Sequence, residues 1–313
     1  MDICSYESAY FDHPVYRISI SVVYSASSLI ATTLNFLILV SIWKTPSLHN
    51  PSFMLIANLA LSDFINGTIG EPFMVCTNYV ALKKQKHVFC YIWKIARAVT
   101  YCTASVSLQT LALISIDRLL AVKLLNRYRS VVTLKRVAKL LIIWWIGSLC
   151  LANLIFLNVK IENLKHLLIM IEVFMFVLLS TVSFCYTMAF FSLRKITSSI
   201  SPDSSSDPNT TRPNIDVSKY RKSLTTMIVV FTVIMISYLP YVCIALATAV
   251  SFDLAKPEDN QFLYQLFLGS ELVMVSNSSL NPLIYLWRMG ELREVVKTTV
   301  KKILRLEHSA NNQ

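Results

Sequence analysis

Ser115-Ile116-Asp117-Arg118-Leu119 closes a run, Ala98–Ile116, that carries no formal charge. A run of this length is about what a bilayer-spanning helix requires. The adjacent acid and base stand where such a helix meets the cytosol. Arginine stays charged at physiological pH and presents a planar fork of donors, so it can hold one partner and later exchange it for another. A carboxylate next to it can hold that fork at rest. Snorkelling at the membrane edge accounts for a basic residue here, but it does not require an acid beside it.

Working outward, the same pattern of long uncharged runs recurs. The chain has 313 residues, 55% of them hydrophobic and 15% charged, with a mean hydropathy of +0.55. A soluble domain has no interior large enough for that much apolar surface, so lipid is the expected solvent. Seven runs are long enough to span, at about 18–43, 52–79, 90–122, 135–158, 167–196, 219–251 and 261–287. Residues 1–17 form an N-terminal segment without the basic start and short apolar core of a cleavable signal, so the first span is the expected insertion signal. Residues 197–217, with Ser201-Pro202-Asp203-Ser204-Ser205-Ser206-Asp207-Pro208, are too polar to pack and read as a flexible loop. Residues 288–313 form a tail in which Leu292, Val296, Val300 and Ile303 recur at helical spacing opposite Arg293, Lys297 and Lys301. That pattern predicts an amphipathic helix on the membrane surface.

The formal charge of +11 is unevenly placed. With seven spans and an outside N-terminus, twenty Lys and Arg face inward and nine outward, which fixes the orientation by the positive-inside rule. These residues flank lipid-spanning runs instead of sharing one face, so nucleic acid is not an expected partner. The seven cysteines are scattered, with no C-x-x-C and no His/Cys cluster, which argues against a metal framework. No paired carboxylates or Ser/His/Asp set marks an enzyme. An odd number of spans and the lack of internal repeats count against a transporter, the alternative reading together with a channel. Cys4 and Cys90 both fall on the oxidising side and can pair, with Cys76 a competitor that spacing does not exclude.

With these polar positions placed, the chain resembles a rhodopsin-like (class A) G-protein-coupled receptor over nearly its whole length. The resemblance rests on Asn35, Leu59-Ala60-Leu61-Ser62-Asp63, Asp117-Arg118-Leu119, Trp145, Tyr186, Pro240 and Asn281-Pro282-Leu283-Ile284-Tyr285, each in the matching span. It implies an all-α seven-helix bundle in the plasma membrane. It further implies an extracellular ligand, a heterotrimeric G protein inside, and arrestin and receptor kinases as regulators. Departures narrow the likeness. Leu119 replaces the usual tyrosine, and Ser237-Tyr238-Leu239-Pro240 carries a tyrosine where the family has its tryptophan. Leu178 stands near a missing proline, and no cysteine between Leu151 and Phe184 is available for the usual outer-loop disulfide. The missing disulfide, a short second outer loop, the missing proline and the tail Trp287-Arg288-Met289-Gly290-Glu291-Leu292-Arg293 together look most like the melanocortin, lysophospholipid, cannabinoid and adenosine receptor branch.

The family arrangement implies three sites. Ser107, Asn277, Ser278 and Asn281 converge on Asp63, with Asn35 nearby. Their oxygen-bearing side chains suit a hard monovalent cation, so a sodium ion is expected; a protonated or water-bridged aspartate is the alternative. Asp117, Arg118, Tyr186 and Tyr285 form the coupling switch, and Ser218-Lys219-Tyr220-Arg221-Lys222 lacks the acid that locks Arg118 in many members, so basal signalling is expected. The outer pocket is expected among Glu71, Arg97, Thr100, Tyr101, Glu172, Tyr238, Tyr241, Glu271 and Met274. Its three acids suggest a cationic ligand, although Arg97 can equally pair with Glu71 or Glu271. The third span has no aspartate one to two turns above Ser107, which argues against a standard biogenic-amine site. The seventh has no lysine, which excludes a retinal Schiff base. No other cofactor is implied. The sequons at Asn66, Asn209 and Asn277 lie in spans or on the inner side, where glycosylation is not expected.

Overall fold

The computed structural model describes residues 14–124, 127–153, 161–198, 217–251 and 261–310. Seven long helices follow the seven apolar runs. They are α1 (Pro14–Lys44), α2 (Pro51–Leu82), α3 (Lys86–Leu124), α4 (Leu134–Asn153), α5 (Ile161–Ser198), α6 (Val217–Ser251) and α7 (Gln261–Arg288). An eighth, α8 (Gly290–Ala310), follows after one residue. Among the described residues, five helices (α1, α2, α3 and the cores of α5 and α6) are apolar and long enough to cross a membrane by length and composition.

Breaks between the helices have local causes. Pro46 and Pro51 bracket the turn after α1; Asn50 caps α2 by accepting from the Phe53 N–H at 3.1 Å, and Pro51 at the first helical position needs no hydrogen-bond partner for its nitrogen. Lys84, at φ 56°, turns the chain from α2 into α3.

The helices pack as a ring, α1–α2–α4 on one side and α5–α6–α7 on the other, closed by α7 against α1. The third helix runs through the middle and touches α2, α4, α5 and α7. Its lining is unlike a soluble core: Asn35, Asp63, Asn66, Glu71, Arg97, Glu271, Asn277 and Asn281 are all buried. Ile142, Ile143, Ile146, Phe174, Val177 and Phe184 are instead exposed. An apolar belt with a polar interior is the arrangement that lipid favours, because the few polar groups then satisfy one another away from hydrocarbon. Trp145 on α4 donates to Asn58 Oδ1 at 2.9 Å, and Asn58 donates to Thr110 Oγ1 at 2.8 Å, which ties α4, α2 and α3 together.

The expected amphipathic tail helix is present as α8. Leu292 and Val296 are buried, and α8 packs against α1 and α7, while Arg293, Lys297 and Lys301 are exposed. The 197–217 loop lies almost wholly outside the described residues. Cys90 is disulfide-bonded, and the five other described cysteines are free. Cys4 lies outside the described residues.

Candidate functional site

Three polar clusters lie along the bundle axis, and the middle one is centred on Asp63 of α2. Asn281 Nδ2 donates to Asp63 Oδ2 at 2.9 Å and Ser107 Oγ to Oδ1 at 3.2 Å. The Ser278 hydroxyl also faces this carboxylate. Ser62 shares a 2.9 Å hydrogen bond with Ser107. Asn35 donates to the Ser278 carbonyl at 3.1 Å, fastening α1 to α7 beside the cluster. Asn277 is turned toward α6, where Ser237 Oγ donates to its Oδ1 at 3.5 Å. Four of the five residues expected at this site therefore meet, and the fifth braces the α6–α7 contact.

Asn66 has a larger role than its sequence suggests. Its amide donates to Ser278 Oγ and to Glu71 Oε1, both at 3.1 Å, and its Oδ1 accepts from Thr103 at 3.3 Å. It thus links the Asp63 cluster to Glu71, which also accepts from Ser27 Oγ at 3.1 Å. The cause lies in the backbone. Residues Asn66–Gly70 form a π-turn in which the Glu71 N–H donates to the Asn66 carbonyl. Pro72 supplies no N–H and its ring crowds the carbonyl four residues back, so the wider turn relieves the helix just before it. In a regular helix Glu71, eight residues after Asp63, would point about 80° away from it. One residue absorbed by the π-turn brings it back to within about 20°, so both acids face the interior. Two glycines let the bulge fit. A Cβ on Gly67 would lie 2.9 Å from Ala31 Cβ, and one on Gly70 would lie 2.5 Å from Asn66 Oδ1.

The outer cluster contains Arg97 of α3, which pairs with Glu271 of α7; their side chains are 4% and 1% exposed. The rings of Trp93, Tyr101 and Phe267 surround the guanidinium at 5.7–5.8 Å. A small cleft between α1, α2, α3 and α7 opens beside the pair, lined by Arg17, Tyr24, Met74, Asn78, Trp93 and Tyr264, among others. Of the nine residues expected in a pocket, Arg97 and Glu271 border this cleft. Glu71, Thr100, Tyr238 and Met274 are sealed within the packing. Tyr241 packs against Phe267 with the rings tilted by 41° and their centroids 5.8 Å apart, and Glu172 is buried in the outer half of α5.

The inner cluster sits at the end of α3. Arg118 Nη2 donates to Asp117 Oδ2 at 2.7 Å, and Ser52 Oγ donates to the same oxygen at 2.9 Å. The Tyr128 hydroxyl, on the one-turn helix Tyr128–Val131, donates to Asp117 Oδ1. Burial, and then this hydrogen bond, raise the Tyr128 pKa above its ordinary value, so the phenol remains a donor at physiological pH. Asp117 is buried, while the Arg118 side chain is 39% exposed. Tyr186 and Tyr285 are buried in the inner core, Tyr186 with its ring 6.1 Å from Phe231 of α6. Sequence reasoning did not find Ser52 or Tyr128. Their only signal is a polar residue in the first turn of α2 and a tyrosine in a short loop.

Residues 34–285 match the family model for the 7 transmembrane receptor (rhodopsin family). Among curated proteins, the 5-hydroxytryptamine receptor 1B of Oryctolagus cuniculus is 30% identical over 124 residues, which cover 39% of this chain and 31% of that receptor. The alpha-1A adrenergic receptor of Rattus norvegicus is 33% identical over 118 residues, 38% of this chain and 25% of the relative. These matches span about a third or less of the relatives' lengths. The trace amine-associated receptor 8c of Mus musculus aligns more fully, at 25% identity over 320 residues, 95% of this chain and 90% of the relative. The names are thus those of a 5-hydroxytryptamine, an adrenergic and a trace amine-associated receptor.

Proposed function

Because the chain belongs to the rhodopsin family of seven-transmembrane receptors, we propose that it converts binding of an extracellular ligand into nucleotide exchange on a heterotrimeric G protein, and performs no chemistry of its own. The observation that carries this reading is the inner cluster. Arg118 is held by its neighbour Asp117, yet its side chain is 39% exposed at the inner end of α3. The guanidinium can turn to water or to a protein partner, while the buried Asp117 carboxylate keeps its hydrogen bonds from Ser52 and Tyr128. Tyr186 and Tyr285, buried nearby, rearrange with it when α6 moves. The ligand and the G protein then bias two packings of one bundle from opposite ends.

The protein resides in the plasma membrane with its N-terminus outside, and arrestin and receptor kinases act on its inner face. A sodium ion at Asp63, with Ser107, Ser278 and Asn281 as neighbours, stabilises the resting packing. The relatives' names suggest an amine ligand. Thr100 and the rest of α3 above Ser107 offer no carboxylate to hold an ammonium group, so an amine here needs an acid from another helix. Without an acid in Ser218–Lys222 to restrain Arg118, some exchange proceeds without ligand.

The test is GTP-for-GDP exchange by a panel of purified G proteins in membranes containing the wild-type chain or Arg118→Ala. Exchange above empty membranes that disappears in Arg118→Ala is expected. Equal exchange by the two chains, or none with any G protein, contradicts the reading.

A further inference from the structure

The small outer cleft between α1, α2, α3 and α7 is rich in hydrogen-bond donors that the coupling mechanism does not use. Its lining carries two guanidinium groups, Arg17 and Arg97, and one carboxylate, Glu271, which is already held by Arg97. Arg17 is 3% exposed and donates to Asn78 Oδ1 at 3.0 Å, so the amide of Asn78 keeps its N–H₂ as its remaining polar edge. Trp93 is 9% exposed, and its ring lies against the Arg97 guanidinium. Among the described residues, its buried indole N–H has no acceptor. An indole N–H can only donate, and a buried donor without an acceptor costs free energy.

The lining is short of acceptors in return. Asn78 Oδ1 and Glu271 each already face a guanidinium, and the Thr77 hydroxyl donates to the Phe73 carbonyl at 2.8 Å. A water molecule would need acceptors for its own two hydrogens, whereas an anion needs donors alone. Each guanidinium has five N–H groups, so the contacts that Arg17 and Arg97 make within the protein leave others to offer. The cleft has room for little more than one water-sized particle, which suits a monatomic ion and not a drug-sized ligand.

We propose that this cleft is a binding position for one small inorganic anion of the size and charge of chloride, cradled by Trp93 Nε1, Asn78 Nδ2 and the guanidiniums of Arg17 and Arg97. These donors come from α1, α2 and α3, so a bound anion fastens the outer ends of three helices beside the Arg97–Glu271 pair. The site needs neither a sodium ion at Asp63 nor coupling to a G protein, and it stands or falls separately from both.

The experiment is thermal unfolding of the purified full-length receptor while sodium chloride replaces sodium gluconate at constant sodium and constant ionic strength. A ligand that binds the folded state alone raises the melting temperature. Because sodium is constant, an ion at Asp63 contributes nothing to the change. A saturable rise with chloride is expected, and bromide should substitute for it. Asn78→Asp keeps the acceptor for Arg17 but replaces the donor edge with a second anionic oxygen, and it should abolish the rise. Trp93→Phe keeps a ring beside Arg97 without the N–H, and it should raise the half-saturating chloride concentration several-fold. No saturable rise in the wild type overturns the proposal. So does a rise with unchanged half-saturation in either variant, since the anion then sits elsewhere. If Asn78→Asp does not fold, Trp93→Phe decides alone.

Discussion

Two arginine–carboxylate pairs lie near opposite ends of α3, and they differ in almost everything except their chemistry. Arg97 and Glu271 come from different helices, are 4% and 1% exposed, and sit inside a cage of Trp93, Tyr101 and Phe267. Arg118 and Asp117 are neighbours in sequence, and 39% of the arginine is exposed. Desolvation makes the difference. Removing one partner of the outer pair strands a charge in a dry interior, whereas the inner arginine is partly exposed and can turn to water while Ser52 and Tyr128 still donate to the buried Asp117. The outer pair is a fastener between α3 and α7, and the inner pair is a catch.

The largest effect should come from breaking the fastener. Glu271→Gln is expected to destabilise the receptor by about 3–5 kcal/mol, the cost of leaving a buried charge alone. Arg97→Met with Glu271→Leu should restore most of that stability; denaturation of purified protein checks both. If Glu271→Gln melts like the wild type, the outer pair is no fastener.

The catch should respond differently. Asp117→Ala removes the acceptor of Arg118, Ser52 and Tyr128 together. It should cost about 2 kcal/mol and raise basal nucleotide exchange per folded receptor several-fold. Tyr128→Phe removes one of these bonds, a loss of about 1.5 kcal/mol for a hydrogen bond to a charged group. Because the folded pKa of Tyr128 is raised, its contribution is complete below the unfolded tyrosine pKa and fades as pH rises through the folded value. The difference in stability between wild type and Tyr128→Phe should thus stay constant across the neutral range and shrink only in strongly alkaline buffer. A difference that changes near pH 7 would mean that some other group controls the catch.

The smallest effect is expected at a site that belongs to neither pair. Trp145→Phe removes the hydrogen bond to Asn58 but keeps an aromatic ring, so the loss should be near the membrane average of about 0.6 kcal/mol. A loss of several kcal/mol would mean that α4 is held to α2 and α3 chiefly through this bond.

The helices were legible in the sequence because lipid imposes long uncharged runs and few charges survive inside them. That Ser107, Ser278 and Asn281 meet at Asp63 was legible only through the resemblance to the receptor family, which says at what depth each residue stands in its span. Asn66 and Glu71 were not. Spacing arguments assume 3.6 residues per turn, and a π-turn shifts everything beyond it by about 100°. Pro72 marked a disturbance in α2 without saying which side chains it would turn inward. The nine pocket residues were placed at a suitable depth, but depth does not say whether a side chain faces a cleft or a neighbour, and Tyr238, Thr100 and Met274 face neighbours. The role of Tyr128 depends on how a short loop folds back onto α3, which no periodicity encodes.

The distinction between fastener and catch is tested most directly by basal nucleotide exchange, normalised to folded receptor, in Asp117→Ala and Glu271→Gln measured side by side. The expected result is a several-fold rise for Asp117→Ala and an unchanged rate for Glu271→Gln despite its lower melting temperature. A rise of similar size in Glu271→Gln, or none in Asp117→Ala, would contradict the account.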